Sequence, residues 1–201
     1  MRIFENFRRQ FQKPEGWLGS LAGKLMALGA EKNKWTISLL KLRDNDRVLE
    51  IGFGPGIGIR LASEMVKNGK VIGIDYSEKM LQHARKRNKA AIQKGQVELI
   101  LADVQNLPPF QHRFDKVFSV NSIIFWNDPV KVLTKIREIM NENGVIAITV
   151  QPFVKGATAE TVKQFGIQIA DQLKEAGFSD IHTEIKPMKP IAAVCVLGVN
   201  K

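Results

Sequence analysis

The sequence predicts an α/β protein with one doubly wound, mainly parallel β-sheet and a helical segment in front of it. Three observations indicate this class. From residue 46 onward, short β-branched or aliphatic runs alternate with longer segments of helical periodicity, as in βαβ units. The runs are almost wholly apolar, which is typical of central strands covered on both faces. The chain closes on two strand-like runs with only a short, proline-containing linker between them.

Five of the runs are predicted to be parallel strands, and two more are predicted to form a hairpin. The parallel strands are expected at residues 48–51, 71–74, 97–101, 116–120 and 145–150. The linker at 186–190 is too short for a helical crossover, so the strands at 181–185 and 191–199 should run antiparallel. The prediction is therefore a seven-stranded sheet of five parallel strands and a C-terminal antiparallel hairpin.

Helices are predicted between these strands by their periodicity and their end signals. They are expected at residues 58–67, 77–94, 129–140 and 158–176. Asp128 and Pro129 suit the N-cap and first residue of the third helix, and Gly177 stops the fourth. Asn143 and Gly144 are predicted to form the turn into the fifth strand.

Residues 1–45 precede the first strand and show no strand–helix alternation. Helical patterns cover residues 19–29 and 32–42. Because these helices have no crossover to make, we expect them to pack over the carboxyl edge of the sheet or to flank it. The chain then divides into an N-terminal helical cap or lid, residues 1–45, and one domain, residues 46–201. Phe11 and Trp17 supply apolar area that a loose tail does not need, so we expect them to contribute to a substrate pocket.

Composition sets limits on the compartment and on metal binding. The chain has 201 residues and one cysteine, Cys195, so no disulfide can form within it. A zinc site is not expected, because this cysteine and the three histidines are scattered along the chain. The N-terminal stretch carries arginines where a signal peptide would be apolar, and no run of about 18 apolar residues occurs. We therefore expect a soluble, cytoplasmic protein without a metal or a membrane span.

The positive charge raises the question of a nucleic-acid partner. Lysine and arginine total 30 against 20 acidic residues, for a formal net charge of +10. One basic cluster lies near the start, at Arg8, Arg9 and Lys13, and the other lies within residues 85–94. The second cluster runs around several faces of its predicted helix, and no RNA-binding motif with interleaved aromatic residues accompanies it. We interpret the charge as favouring solubility and weak attraction to anions over a dedicated nucleic-acid surface, which stays the alternative.

A glycine-rich turn follows the first predicted strand. In the run VLEIGFGPGIG at residues 48–58, the glycines alternate directly after a buried strand and before a helix. Such a turn lies at the carboxyl edge of an α/β sheet, where its backbone can approach a ligand closely. The dinucleotide-binding spacing G-x-G-x-x-G fails here, since Ile57 or Ile59 stands where the third glycine belongs. A nicotinamide-dependent reductase is therefore an alternative that the spacing disfavours.

Two carboxylates follow at the ends of the next two strands. Asp75 ends the second strand, about 20 residues beyond the glycine turn, where a carboxylate can accept two hydrogen bonds from a ribose diol. Asp103 ends the third strand, where a carboxylate can accept a hydrogen bond from the exocyclic amine of adenine. The glycine turn and the two acids together indicate a nucleoside-containing ligand.

These features resemble the class I S-adenosylmethionine-dependent methyltransferases, and the resemblance covers the chain from about residue 46 to its end. Residues 48–58 resemble the first motif of that family, residues 73–75 the second, and residues 102–104 the third. Residues 140–146 resemble the loop and strand that follow the fourth motif. The resemblance implies a Rossmann-like fold whose sheet ends in an antiparallel hairpin, and S-adenosylmethionine as the cofactor.

The resemblance also implies roles for individual residues. The glycine turn would hold the methionine part of the cofactor, and Glu50 would help orient its amino group, often indirectly. Asp75 would bind the ribose hydroxyls, Asp103 with the backbone of Val104 would bind the adenine, and Tyr76 would lie against the adenine ring. The implied cofactor-binding residues are Glu50, Gly52, Gly54, Gly56, Asp75, Tyr76, Asp103, Val104 and Asn121.

The acceptor is less well determined by the sequence. The family places groups that face the methyl donor and acceptor after the fourth strand, where Asn121, Phe125 and Trp126 are candidates for substrate contact. The Asn/Asp-Pro-Pro-Tyr/Phe motif of enzymes that methylate base amines is absent here, and Cys195 lies too late to be a cytosine-C5 nucleophile. No catalytic residue is predicted, since positioning alone can accelerate methyl transfer greatly.

The sequence thus favours a methyltransferase that acts on a small molecule with an apolar or aromatic body. Its general pattern is similar to that of quinone-biosynthesis methyltransferases. An RNA or protein methyltransferase is an alternative, favoured by the charge and disfavoured by the missing motif. A cofactor-binding protein without catalysis is another.

Overall fold

The structure, a computed structural model, describes residues 20–152 and 156–201, and within residues 20–28 it describes the backbone alone. A single seven-stranded sheet organises the chain, with the strand order β3-β2-β1-β4-β5-β7-β6. The strands are β1 (Arg47–Ile51), β2 (Lys70–Asp75), β3 (Val97–Leu101), β4 (Phe114–Val120), β5 (Met140–Val150), β6 (Ser179–Lys186) and β7 (Ala193–Val199). The helices are α1 (Ser20–Leu40), α2 (Ile57–Met65), α3 (Glu78–Arg87), α4 (Lys89–Gln93), α5 (Pro129–Glu138) and α6 (Ala159–Glu175).

The predicted sheet topology is confirmed. Strands β1 to β5 pair in parallel, whereas β7 pairs antiparallel with both β5 and β6. The chain order reverses between β1 and β4, because β2 and β3 lie on one side of β1 and the later strands on the other. In open α/β sheets, ligands bind outside the carboxyl ends of the strands at such a reversal.

Each face of the sheet is covered by helices, which makes the fold doubly wound. On one face, side chains of α1, α2 and α3 pack with Val48, Phe118 and Ala147. On the other face, α5 and α6 cover Leu49, Val117 and other strand residues. Cys195 lies fully buried in β7 on the first face, where burial raises the pKa of its thiol to about 12. No helix within residues 20–152 and 156–201 combines the length and the apolar character needed to cross a membrane.

The N-terminal helix differs from the prediction of two separate helices. Residues 20–40 form one continuous helix, which passes through Gly29. Side-chain bonds to the preceding turn support it there, since Asn33 donates to the Gly29 carbonyl (2.8 Å) and Thr36 to the Lys32 carbonyl (2.9 Å). The described end of α1 flanks the sheet face beside α2, and the Thr36 hydroxyl contacts the Thr149 hydroxyl of β5 at 2.6 Å.

Two other predicted boundaries were wrong for tertiary reasons. The helix predicted at 77–94 breaks at Asn88, whose amide donates to the carbonyls of Gly56 (3.1 Å) and Ala84 (2.9 Å). Strand β5 begins at Met140 instead of after Asn143 and Gly144, and these two residues form an irregularity within it. Asn143 takes a positive φ of 61° at that point. The remaining boundaries fall within a few residues of their predicted positions.

Candidate functional site

A cavity of about 710 Å³ opens at the carboxyl ends of β1, β2, β3 and β4. Its volume lies within the range of roughly 300 to 1,000 Å³ that is usual for small-molecule sites. Its position is the chain reversal between β1 and β4. It is lined by Ile51, Gly52, Gly54, Ile74, Asp75, Tyr76, Ser77, Met80, Ala102, Asp103, Val104, Gln105, Val120, Asn121, Ser122, Phe125 and Trp126.

The glycine turn forms the floor of this cavity with backbone conformations that favour glycine. Gly52 and Gly54 have positive φ values of 74° and 50°. A Cβ atom on Gly52 would overlap the side chain of Ser122. A glycine is therefore needed at this position for close packing against the loop that follows β4, called the β4 loop below. A Cβ atom on Gly54 would meet nothing within 4 Å among the described residues, and Gly54 lines the cavity. Gly54 therefore presents bare backbone to the open cavity.

Gly56 has a different role in the structure. A Cβ atom there would lie 2.7 Å from both the Ala84 methyl group and the Asn88 amide nitrogen, and φ is 77°. Gly56 is not among the residues that line the cavity. It allows close packing of the turn against α3, and its predicted contact with the cofactor stays a prediction.

Asp75 ties the glycine turn to the second strand. The Gly54 amide donates to Asp75 Oδ2 (2.8 Å), and the Ser77 amide donates to Oδ1 (2.9 Å). Ser77 is in turn the N-cap of α3. Asp75 is 7% exposed and lines the cavity. Since a carboxylate oxygen has two lone pairs, Asp75 can hold the turn and still accept hydrogen bonds from a ligand.

The third strand ends in a similar arrangement. Asp103 accepts from the Gln105 amide (2.9 Å) and caps the short 3₁₀ helix Val104–Asn106. Tyr76 is 76% exposed and stands at the cavity rim. Asp75, Tyr76, Asp103 and Val104 thus share one side of the cavity with the glycine turn, as the sequence predicted for their positions.

On the opposite side, the end of β4 is connected to the end of β5. Asn121 adopts a positive φ of 57°, and its Oδ1 accepts from the backbone amide of Gln151 (2.8 Å). The Trp126 indole donates to Ser122 Oγ (3.1 Å), and Trp126 is buried, whereas Phe125 is 38% exposed. All four residues of the β4 loop named here line the cavity.

Gln151 was not singled out in the sequence, yet it joins three segments of this edge. Besides its backbone bond to Asn121, its Nε2 donates to the carbonyls of Ile191 (2.6 Å) and Lys189 (3.3 Å), which precede β7. The side chain is fully buried. A polar residue directly after the buried strand β5 is the signal that could have found it.

The Glu50 carboxyl group lies beside Gly58, at the start of α2, and does not line the cavity. It is 2% exposed, and burial raises the pKa of its carboxyl group well above the usual value. The negative charge of Asp75 raises the pKa further, whereas a hydrogen bond from the Ile59 backbone amide opposes the shift. Its Oε2 atom finds no hydrogen-bond partner within the described part of the chain.

Two predicted substrate residues, Phe11 and Trp17, lie outside the described residues. Within residues 20–152 and 156–201, no group of three or more His, Cys, Asp or Glu side chains could hold a metal ion.

The geometry fits a nucleoside cofactor with an amino acid end. Gly54 leaves room for a ligand, carboxylates stand at the ends of β2 and β3, and an unsatisfied acid lies under the glycine turn. Aromatic side chains stand across the cavity, at the end of β4. Such a site can align a bound nucleoside with a second molecule.

Residues 48–144 match a family model described as "Methyltransferase domain". YdaC, an uncharacterized methyltransferase of Bacillus subtilis (strain 168), is 39% identical over 176 residues, which cover 87% of this chain and 95% of that protein. A demethylmenaquinone methyltransferase of Thermotoga maritima is 25% identical over 151 residues, which cover 74% of this chain and 59% of that protein.

Among solved structures, a SAM-dependent methyltransferase from Aquifex aeolicus superposes with a TM-score of 0.68. The two chains are 21% identical, and the match covers 84% of this chain and 89% of the other. At this level of identity the likeness concerns the fold.

Proposed function

This chain belongs to the family of S-adenosylmethionine-dependent methyltransferases, and from that premise we propose that it methylates a small molecule with an apolar or aromatic body. S-adenosylmethionine is the cofactor of this enzyme class. The observation that carries the proposal is the composition of the cavity wall at the end of β4, where Val120, Phe125 and Trp126 face the side that holds Asp75 and Asp103. The relatives that methylate quinone precursors support an acceptor of the same kind.

The residues of β1, β2 and β3 would hold the cofactor. When bound, S-adenosylmethionine supplies an electrophilic methyl group on a sulfonium. Gly52 and Gly54 offer backbone to its methionine part, Asp75 offers free lone pairs to the ribose, and Asp103 and Val104 offer acceptor and backbone groups to the adenine.

The residues after β4 and β5 would orient the acceptor. Asn121 and Gln151 hold the two strand ends together, and Trp126 fixes Ser122 through its indole hydrogen bond. These bonds give the acceptor wall a fixed shape, and the buried Trp126 keeps water from one side of it. In-line transfer of a methyl group from a sulfonium depends above all on the alignment of donor and acceptor. Positioning alone can provide effective molarities of about 10⁵ to 10⁸ M.

The N-terminal segment, residues 1–45, would act as a cap or lid on residues 46–201, with Phe11 and Trp17 in the acceptor wall. We place the enzyme in the cytoplasm on the basis of its single cysteine, a buried thiol. Nucleic acid is not the acceptor that we favour.

A methylation assay on fractionated cell extract tests the proposal. Purified protein is incubated with extract and S-adenosylmethionine carrying a labelled methyl group, and label is followed into acid-precipitable and organic-soluble fractions. We expect enzyme-dependent label in the organic-soluble fraction, and less label with Asp75→Ala at a subsaturating cofactor concentration. Label confined to precipitated RNA or protein would overturn the small-molecule assignment and favour the RNA or protein methyltransferase alternative.

A further inference from the structure

Two buried side chains from different elements meet at Gly58, the second residue of α2. A Cβ atom on Gly58 would lie 2.6 Å from Asn33 Oδ1, which belongs to α1, and 2.7 Å from Glu50 Cδ, which belongs to β1. Asn33 is 9% exposed, and Glu50 is 2% exposed. The bare backbone of Gly58 is thus what allows the amide and the carboxyl group to approach one another.

Both groups present an oxygen that is buried and unsatisfied. Asn33 Oδ1 and Glu50 Oε2 have no hydrogen-bond donor anywhere in residues 20–152 and 156–201. The other halves of the two side chains are engaged, because Asn33 Nδ2 donates to the Gly29 carbonyl and the Ile59 amide donates to Glu50. Buried acceptors without a donor are rare, because the hydrogen bonds lost with water are not replaced. Two of them around one glycine indicate a site for a donor, which the protonated form of Glu50 can supply in the free protein and a bound cation can supply in its place.

The pair lies behind the glycine turn, and neither of its side chains lines the cavity. Glu50 precedes Gly52 by two residues, and Gly52 lines the floor of the cavity where the methionine part of the cofactor is expected. The α-amino group of that part is a cation with three N–H donors, and ionised carboxyl and amide oxygens are its natural partners.

We propose that Asn33 of α1 completes, together with Glu50, the subsite that receives the amino group at the methionine end of the cofactor. The inference deepens the proposed function and depends on it only through the cofactor, not through the acceptor. Glu50 is expected in this role from the family's first motif, whereas Asn33 belongs to no motif and lies ahead of the domain that the sequence delimits. Helix α1 is then part of the cofactor site.

The test uses two ligands that differ at the relevant end. S-adenosylhomocysteine carries the amino acid part, whereas 5′-methylthioadenosine retains the nucleoside and sulfur but lacks that part. Isothermal calorimetry measures both against the wild-type chain and Asn33→Leu. Thr36→Val is the matched control, because it also removes a side-chain bond to the preceding turn on the same face of α1.

We expect Asn33→Leu to weaken S-adenosylhomocysteine binding about 10- to 100-fold, as for a lost hydrogen bond to a charged group, and to change methylthioadenosine binding less than about twofold. Thr36→Val should change neither affinity by more than about twofold. If Asn33→Leu does not fold, Asn33→Ala is measured with the same pair of ligands.

Equal weakening of both ligands by the Asn33 variant would overturn the inference, because it would show a structural role only. An unchanged affinity for S-adenosylhomocysteine would overturn it as well. If the wild-type chain binds both ligands with equal affinity, the proposed amino acid subsite is refuted, whereas the cofactor assignment stands. Failure of the wild-type chain to bind S-adenosylhomocysteine would instead contradict the cofactor on which the proposed function depends.

Discussion

The two halves of the sheet's carboxyl edge are built by different means. In the half formed by β1, β2 and β3, aspartates bind nearby backbone amides: Asp75 accepts from Gly54 and Ser77, and Asp103 from Gln105. In the half formed by β4, β5 and the hairpin, neutral side chains link loops that are far apart in sequence. Asn121 reaches Gln151, and Gln151 reaches the residues before β7.

The difference teaches which half tolerates change. In the half that we assign to the cofactor, the geometry centres on one glycine turn, so we expect a single misplaced side chain there to remove binding. The acceptor half depends on a chain of neutral hydrogen bonds, each contributing about 0.5 to 1.5 kcal/mol, so its residues can vary with the acceptor while the fold persists.

Gly52→Val should have the largest effect, because Gly52 is where the two halves touch. Its Cβ would overlap Ser122, and its φ of 74° disfavours a branched residue. We expect loss of S-adenosylhomocysteine binding by calorimetry and a fall in the free energy of unfolding of about 3 kcal/mol or more, from strain and overpacking together.

The matched control is Gly95→Val, where φ is 72° but no described atom lies within 4 Å of the added Cβ. This variant should carry only the backbone strain, about 1 to 2 kcal/mol, with cofactor affinity unchanged. If Gly95→Val loses cofactor binding as Gly52→Val does, the loss does not come from the overlap with Ser122 at the cavity.

Asp75→Ala should weaken S-adenosylhomocysteine binding by about 1.5 to 3 kcal/mol, the range for hydrogen bonds to a charged group. Asp75→Asn should cost less, because one oxygen can still accept. Asp128→Ala is the control, since Asp128 also accepts from a backbone amide, that of Lys131, but outside the cavity. It should lower the free energy of unfolding by about 1 kcal/mol and leave binding unchanged. An alanine variant of Asp75 with normal affinity would refute the ribose assignment.

Gln151→Leu tests the acceptor half alone. The substitution leaves the carbonyls of Lys189 and Ile191 without their donor, so the free energy of unfolding should fall by about 1 to 3 kcal/mol. Turnover of the identified acceptor should fall, whereas S-adenosylhomocysteine affinity should stay within about twofold. A large loss of cofactor affinity here would mean that the two halves are not separable.

A smaller effect concerns the pH dependence of cofactor binding. Burial first, and then Asp75 of β2, raise the pKa of Glu50, while the Ile59 amide of α2 opposes them. From α1, Asn33 faces Glu50, and the neighbouring buried Lys32 has its pKa lowered to about 8 by burial. The carboxyl group is therefore neutral in the free protein up to its raised pKa, and a bound cation favours its ionised form.

Binding should then release a proton, and S-adenosylhomocysteine affinity should rise with pH until the raised pKa is passed, by at most about tenfold per pH unit. Glu50→Gln should abolish this rise. The same variant should gain stability relative to wild type as pH rises above the ordinary glutamate pKa, because wild type must then ionise a buried acid. Calorimetry and thermal unfolding across the pH range measure both, and parallel pH profiles for the two proteins would contradict the role of Glu50.

Sequence reasoning predicted the features that depend on local pattern. The seven strands, the hairpin, and the positions of Gly54, Asp75 and Asp103 follow from apolar runs and from residues at strand ends. The features it missed depend on contacts between distant segments. Gly29 does not end α1, because α1 packs against α2 and β5, and Asn88 ends α3 because it reaches Gly56.

Two polar residues show the same limit of prediction from sequence. Gln151 and Asn33 look like ordinary polar residues in the sequence, and only the packing of β5 against the hairpin and of α1 against α2 gives them a role. The glycines of the turn after β1 also look alike in the sequence. In the structure, however, Gly54 faces open space, whereas Gly56 packs against a helix.

A crystal structure of the protein with S-adenosylhomocysteine tests the central claim most directly. We predict the ribose hydroxyls within hydrogen-bonding distance of the Asp75 carboxylate, the adenine beside Asp103 and Val104, and the homocysteine end over Gly52 and Gly54. A ligand bound with its ribose away from Asp75, or in a cavity elsewhere on the molecule, would contradict the assignment of β1, β2 and β3 as the cofactor half.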